Sequence, residues 1–358
     1  MQNIYKVQAV AKLLETTVDT VRRYIDDSGI EVARQESGPK TRQFTIQNVF
    51  DLAAWRMENR SKVKVLKRGI ATVYAPKGGV GKTTLTANLA CLFSLIGLKT
   101  LVVDLDFQAN LTLAFGYDSE LTGEEAEAVG MPTDRVVQSH FGNLVPGWPG
   151  GRMALKDVIK MPFGPNGPHI IPSDLTLDRL DTILTYDAIE GKKSDLKIAA
   201  LIAEGVSGRN PDFDLSGYDI ILFDAAPAKN RMTRGALLAS DFVIAPVSLE
   251  RYSTKAVSYL SSVLQDMRDD LGRSPELVMI GNFHLPNRLR VYSQVTKLSN
   301  EYPGALLNVM IHRSEEFPKT LSEDDEMPPL VLARPSGGAA EQLHELAHEL
   351  LSKMGVIG

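Results

Sequence analysis

One glycine-rich turn between an apolar strand run and a helix constrains this chain more than any other feature. Val73-Tyr-Ala-Pro-Lys-Gly-Gly-Val-Gly-Lys-Thr-Thr84 overlaps the end of an apolar run at residues 70–75. It then opens a helix in which Leu85, Leu89, Leu92 and Phe93 keep helical spacing. The glycines let the backbone N–H groups of Gly78, Gly79, Val80 and Gly81 turn inward around phosphate oxygens with no Cβ in the way. The start of the helix adds partial positive charge. Lys82 is then placed to reach the β- and γ-phosphates and the Thr83 hydroxyl to ligate Mg²⁺, with Thr84 closing the turn. The stretch therefore predicts a P-loop that takes ATP/ADP with Mg²⁺. It departs from G-x-x-x-x-G-K-[ST] at one place, because Pro76 stands where the first glycine belongs. What it satisfies is K-G-G-x-G-K-[ST]-T, with an additional lysine, Lys77, five residues before Lys82.

The surrounding pattern supplies the strand–loop–helix context that a P-loop needs. Apolar runs at 70–75, 100–104, 169–172, 220–223, 242–246 and 277–282 alternate with helical periodicity. Such alternation predicts βαβ units, hence an α/β P-loop NTPase fold with a mostly parallel sheet flanked by helices. Near the end, Leu343, Leu346, Ala347, Leu350, Leu351 and Met354 keep helical spacing, and Gly355 supplies a stop. Residues 113–168 are rich in Gly and Pro and carry at most short helices, near 124–129 and 155–159. They read as a surface excursion between two core strands or as a mobile surface for a partner.

A chain of 358 residues has room for two domains. The division expected is a small DNA-binding domain at 1–59, a basic linker at 60–68 and the ATPase at 69–358. Charge follows this division. Residues 1–68 carry 13 Lys+Arg against 8 Asp+Glu, whereas the remainder carries 26 against 36. A basic head on an acidic body suits a DNA-contacting domain attached to an enzyme. No apolar run approaches the ~18 residues that a bilayer span requires, and the first residues lack the pattern of a signal peptide. A single cysteine, Cys91, leaves no disulfide framework and no cysteine-built metal site within one chain. The expected compartment is the cytoplasm.

Lys77 through Thr84 resembles the deviant Walker A box of the ParA/MinD group of ATPases. Two further boxes follow in the order of that family. Val102-Val-Asp-Leu-Asp-Phe-Gln-Ala-Asn110 resembles the D-x-D-P-Q-x-N segment of ParA proteins, with Phe107 where proline is usual. Tyr218-Asp-Ile-Ile-Leu-Phe-Asp-Ala-Ala-Pro227 resembles their Walker B strand and D-x-x-P ending. The resemblance implies that Asp106 orients or deprotonates the attacking water and that Asp104 supports the metal shell. Asp224, ending a buried strand, would hold a Mg²⁺-bound water. It also implies that Lys77 crosses into the partner's site in an ATP-dependent homodimer. A ParB-type centromere-binding protein would then stimulate hydrolysis.

The first 59 residues carry a weaker pattern. Val7, Val10, Ala11 and Leu14 share one helix face, and Thr16-Thr17 makes a turn that caps a second helix at 18–27. Gly38-Pro-Lys-Thr-Arg-Gln-Phe44 reads as a basic wing before a third helix from Ile46. The arrangement resembles a MerR-like winged helix-turn-helix, in which the second helix enters the major groove and the wing touches phosphates. A small helical dimerisation domain is the alternative. Arg22, Arg23, Lys40 and Arg42 are the candidate contacts to operator DNA, and Arg288, Arg290 and either Arg313 or Lys319 the candidates for non-specific DNA. A membrane-surface ATPase needs a basic amphipathic tail, whereas Glu341, Glu345 and Glu349 line the last helix. A metal-cluster electron donor of the same superfold needs two cysteines per chain. The ParA resemblance implies partition of plasmid or chromosomal DNA, and three readings stay open beside it: a positioning ATPase for a protein cargo, an ATP-liganded repressor and a biosynthetic enzyme of the same superfold.

Overall fold

The apolar runs read from the sequence all become strands, because each is short, bounded by turn residues and buried on both faces. The computed structural model describes residues 4–35, 37–249, 253–285, 288–317 and 328–358. Helices α1 (Val7–Leu13) and α2 (Val18–Ser28) precede a hairpin of β1 (Ala33–Arg34) and β2 (Arg42–Gln43), then α3 (Ile46–Asn59). The body follows as β3 (Gly69–Val73), α4 (Lys82–Ile96), β4 (Thr100–Leu105), α5 (Asn110–Ala114), α6 (Gly123–Ala128) and α7 (Leu155–Val158). It continues as β5 (His169–Ile171), α8 (Asp178–Ile189), α9 (Asp195–Val206), β6 (Ile220–Ala225), α10 (Arg231–Ala239) and β7 (Phe242–Val247). Last come α11 (Ser253–Leu271), β8 (Glu276–Gly281), α12 (Leu289–Glu301), α13 (Leu330–Ala333) and α14 (Gly338–Lys353).

Among the described residues, six strands form one sheet in the order β5-β4-β6-β3-β7-β8, every pair parallel. This is an α/β P-loop NTPase fold with helices on the sheet's faces. Neighbouring parallel strands put all their carboxyl ends on one edge, where ligands of open α/β sheets bind. Residues 113–168 are less peripheral than a loop reading suggests. Phe141, Leu144, Val145, Leu155 and Val158 are buried with Leu101, Ile171 and Phe223 of the sheet, and Lys160 pairs with Ile170 beside β5.

The amino-terminal segment does not hang from a free linker. Val10, Leu14, Phe50 and Ala53 belong to the same buried cluster as Leu89 and Phe93 of α4 and Leu343 and Leu350 of α14. Arg56 of α3 donates to the carbonyl of Leu14 and, at 2.8 Å, to that of Leu95 at the end of α4. The basic stretch at 60–68 pairs with the chain end through Val65 and Ile357. Thr17 caps α2 by accepting the N–H of Thr20, and Thr45 with Asn48 forms a capping box on α3.

Glu15 ties this segment to α14. Its φ of 48° is a left-handed conformation that non-glycine residues rarely adopt. Its Oε2 lies 2.7 Å from Nε2 of His348 and 3.4 Å from Nδ1 of His344. Burial would raise the Glu15 carboxyl, but the hydrogen bonds with His344 and His348 outweigh it and hold the group well below its ordinary 4.5. The hydrogen bond to Glu15 raises His348 above its ordinary 6.5, against partial burial. The signs differ between the two groups. Stability from His348 is complete below pH 6.5 and is lost as pH rises through its raised value, whereas that from Glu15 is lost as pH falls below 4.5. Solvent screening at this half-exposed pair holds the effect to about 1 kcal/mol or less. Chemical denaturation of wild type and His348→Ala should therefore differ most between pH 5 and 6.5 and converge once pH has risen past the raised His348 value. A gap independent of pH would mean that packing, not the ion pair, carries the contact.

Candidate nucleotide site

The chain leaves β3 at Val73, although the N–H of Tyr74 still donates to Ile244 at 3.0 Å, and turns through Ala75–Gly81 into α4. Gly79 and Gly81 take φ of 70° and 81°, left-handed values that a side chain would strain. Gly81 is also pressed from outside: an added Cβ would lie 2.5 Å from the Phe283 ring and 2.6 Å from Asn282 Nδ2. Asn282, buried just after β8, donates through that Nδ2 to the carbonyl of Val80 at 2.7 Å. The loop is thus held by the end of β8, two strands away from β3. Lys77, Gly78 and Gly79 are exposed at its tip, whereas Val80 and Lys82 turn inward.

Register brings the acidic groups together. Val73 of β3, Asp224 of β6 and Asp104 of β4 lie level across the sheet, with Asp104 paired directly to Asp224. Asp224 Oδ2 accepts the Thr83 hydroxyl at 2.7 Å, and its Oδ1 accepts the Thr86 hydroxyl at 2.9 Å. Burial pushes the Asp224 carboxyl up to about 6, although Thr83, Thr86 and Lys82 favour its ionised form. Burial also lowers the Lys82 ammonium, which Asp224 and Asp106 oppose. Asp106, half-buried in the loop after β4, has one oxygen engaged by the N–H of Gln108 at 3.1 Å.

Asp104 is fully buried, and both of its oxygens are occupied. Oδ2 accepts the N–H and hydroxyl of Thr112 at 2.9 and 2.7 Å, and Oδ1 accepts the N–H of Asp106 at 3.1 Å. Burial, with Asp224 alongside, pushes its carboxyl up to about 8. A dry carboxylate pair beside one lysine favours an arriving cation. The hydroxyl–carboxylate pair of Thr83 and Asp224 is the hard oxygen donor set that Mg²⁺ prefers. The open space over Gly78 and Gly79 leaves the loop amides room for phosphate. The residues present fit a magnesium nucleotide.

Sequence reasoning passed over Thr86, Thr112, Asn282 and Phe283. Thr86 was findable, since three residues after Thr83 on a helix is the same face. The other three carry no local signal. The candidate DNA contacts are spread over the amino-terminal segment. Arg22 pairs with Asp19 at 2.9 Å, Arg23 donates to Thr20 at 3.2 Å and Arg42 pairs with Asp26 at 2.9 Å, while Lys40 is exposed in the hairpin turn. Arg288, Arg290 and Arg313 are exposed, and Lys319 lies outside the described residues.

A family model described as AAA domain matches residues 68–277. The chromosome-partitioning ATPase Soj of Thermus thermophilus is 26% identical over 298 residues, covering 78% of this chain and 93% of Soj. The cell division protein PomZ of Myxococcus xanthus is 25% identical over 280 residues, covering 78% and 76%. A plasmid partition protein of Borrelia burgdorferi, solved bound to AMPPNP, shares the fold with a TM-score of 0.58 at 21% identity, covering 80% of this chain and all of that one.

Proposed function

The chain belongs to the AAA-domain family matched over residues 68–277, as a P-loop ATPase of the ParA/Soj kind, and on that premise we propose that it partitions plasmid or chromosomal DNA. ATP hydrolysis in this reading drives assembly and release of a homodimer on the nucleoid, in the cytoplasm. The observation that supports it is the meeting of Lys82, Asp106 and Asp224 at one sheet edge, with Lys77 exposed on the same loop.

Phosphoryl transfer to water requires neutralised charge on the γ-phosphate and an oriented nucleophile. Lys82 and the amides of Gly78, Gly79, Val80, Gly81, Thr83 and Thr84 meet the phosphates. Thr83 and Asp224 would hold Mg²⁺, which neutralises charge on the phosphate oxygens, and Asp104 supports that shell from the next strand. Asp106 orients the water. Lys77 reaches the phosphates of a second protomer, so the dimer lasts while the γ-phosphate does.

The amino-terminal segment then reads operator DNA through Arg22, Arg23, Lys40 and Arg42, and the protein represses its own operon. A ParB-type adaptor stimulates hydrolysis. The second reading, a positioning ATPase for a protein cargo, is favoured by the likeness to PomZ, a cell division protein. ATP turnover should rise with duplex DNA and rise again with a ParB-type DNA-binding protein. Basal turnover indifferent to both would sink the partition reading. Arg23→Ala with Arg42→Ala should weaken operator binding and flatten its salt dependence, the slope falling by about 1 per lost phosphate contact. Unchanged operator binding by that double variant removes the DNA-reader assignment.

A further inference from the structure

The loop that carries Asp106 is fastened by a residue that belongs neither to the P-loop nor to the groups assigned to Mg²⁺. Thr112, on α5, is fully buried. Its N–H and hydroxyl both donate to Asp104 Oδ2, and its hydroxyl oxygen accepts the N–H of Ser173 at 2.9 Å. Asp104 passes the restraint on by accepting the N–H of Asp106 with its other oxygen. One hydroxyl therefore joins the end of β4, the segment after β5 and the backbone that bears Asp106. The local chain is bent to make this possible. Ala109, the residue before α5, takes φ of 53°, and its N–H donates to the carbonyl of Asp106 at 2.9 Å. That left-handed turn folds α5 back over the strand end, at a cost a non-glycine residue bears only where surrounding contacts hold it.

We propose that Thr112 is a positioning residue for ATP hydrolysis, holding the Asp106 backbone through Asp104 so that the Asp106 carboxylate is aimed at the attacking water. The proposal rests on the role given to Asp106 above. A hydroxyl offers one donor and two acceptor lone pairs, and Thr112 uses the donor on Asp104 and one lone pair on Ser173. Without it, Ser173 keeps an unpaired N–H and Asp104 loses a hydrogen bond in a dry interior, which the structure relieves by moving the loop. Lys82 and Thr83 open helix α4 and stand outside this chain of hydrogen bonds, so ATP binding persists.

Thr112→Val keeps the shape and removes the hydroxyl, whereas Thr112→Ser keeps the hydroxyl. Both are compared with Asp106→Ala by calorimetric titration with Mg-ATP and by single-turnover hydrolysis. Thr112→Val should slow turnover by about 10- to 100-fold, the effect of a displacement near 1 Å, with ATP affinity nearly unchanged and Thr112→Ser close to wild type. Thr112→Ala replaces Thr112→Val if the latter does not fold. Equal losses in Thr112→Val and Thr112→Ser, or loss of ATP affinity in step with turnover, overturns the proposal. So does wild-type turnover in Thr112→Val while Asp106→Ala is slow. Normal turnover in Asp106→Ala also overturns it, but through the reading of Asp106 rather than of Thr112.

Discussion

Lys82→Ala should abolish tight ATP binding while leaving the fold intact. Lys82 is 8% exposed at the start of α4, where burial and the nearby Asp224 and Asp106 act oppositely on its charge. Truncating one member of a desolvated charge pair costs about 2–5 kcal/mol. At about 1.4 kcal/mol per decade, that weakens binding by one to more than three orders of magnitude. The loss is compounded because the negative charge of Asp224 and Asp106 is then no longer offset by the lysine. Titration with Mg-ATP, with a thermal melt of the apo protein as control, measures it. Tight binding by a folded Lys82→Ala protein would refute the phosphate site.

Asp106→Ala should do the reverse: bind ATP and fail to turn it over. Asp106 is half-buried, and among the described residues its side chain accepts only the N–H of Gln108, so its removal disturbs little packing. Losing a group that orients or deprotonates the nucleophile costs about 10²- to 10⁴-fold in rate. ATP-bound dimers should consequently accumulate, visible as a larger species by light scattering with ATP but not with ADP. Normal turnover would assign the water to another group. ATP binding without a larger species would detach the dimer from this site and leave Lys77 without its proposed role.

Legibility tracked how local each signal was. The P-loop was readable because its glycines, lysine and threonines are contiguous and each has a backbone reason to be there. All six strand runs were readable because burial on both faces leaves an uninterrupted apolar stretch. The helix at the chain end was equally plain, with Leu343, Leu346, Leu350 and Leu351 all buried in α14. Residues 113–168 misled toward an exposed loop, since Gly and Pro report turns but not that Phe141, Leu144 and Val158 reach the core. The amino-terminal helices were visible, yet nothing local indicated that α3 shares its core with α4.

The sequence by itself determined that a glycine-rich turn after β3 suits phosphate, and that aspartates stand at the carboxyl ends of two later strand runs. Those are properties of consecutive residues, set by backbone conformation and burial. Tertiary structure alone decided which of these groups meet. Asp104 and Asp224 face each other because β4 and β6 are adjacent in a sheet whose order is not the chain order. Gly81 must be glycine partly because Phe283 and Asn282 arrive from β8. Thr112 comes to rest on Asp104 because Ala109 turns α5 back. In each case the deciding contact joins elements whose adjacency follows from packing the whole sheet, which no local periodicity encodes.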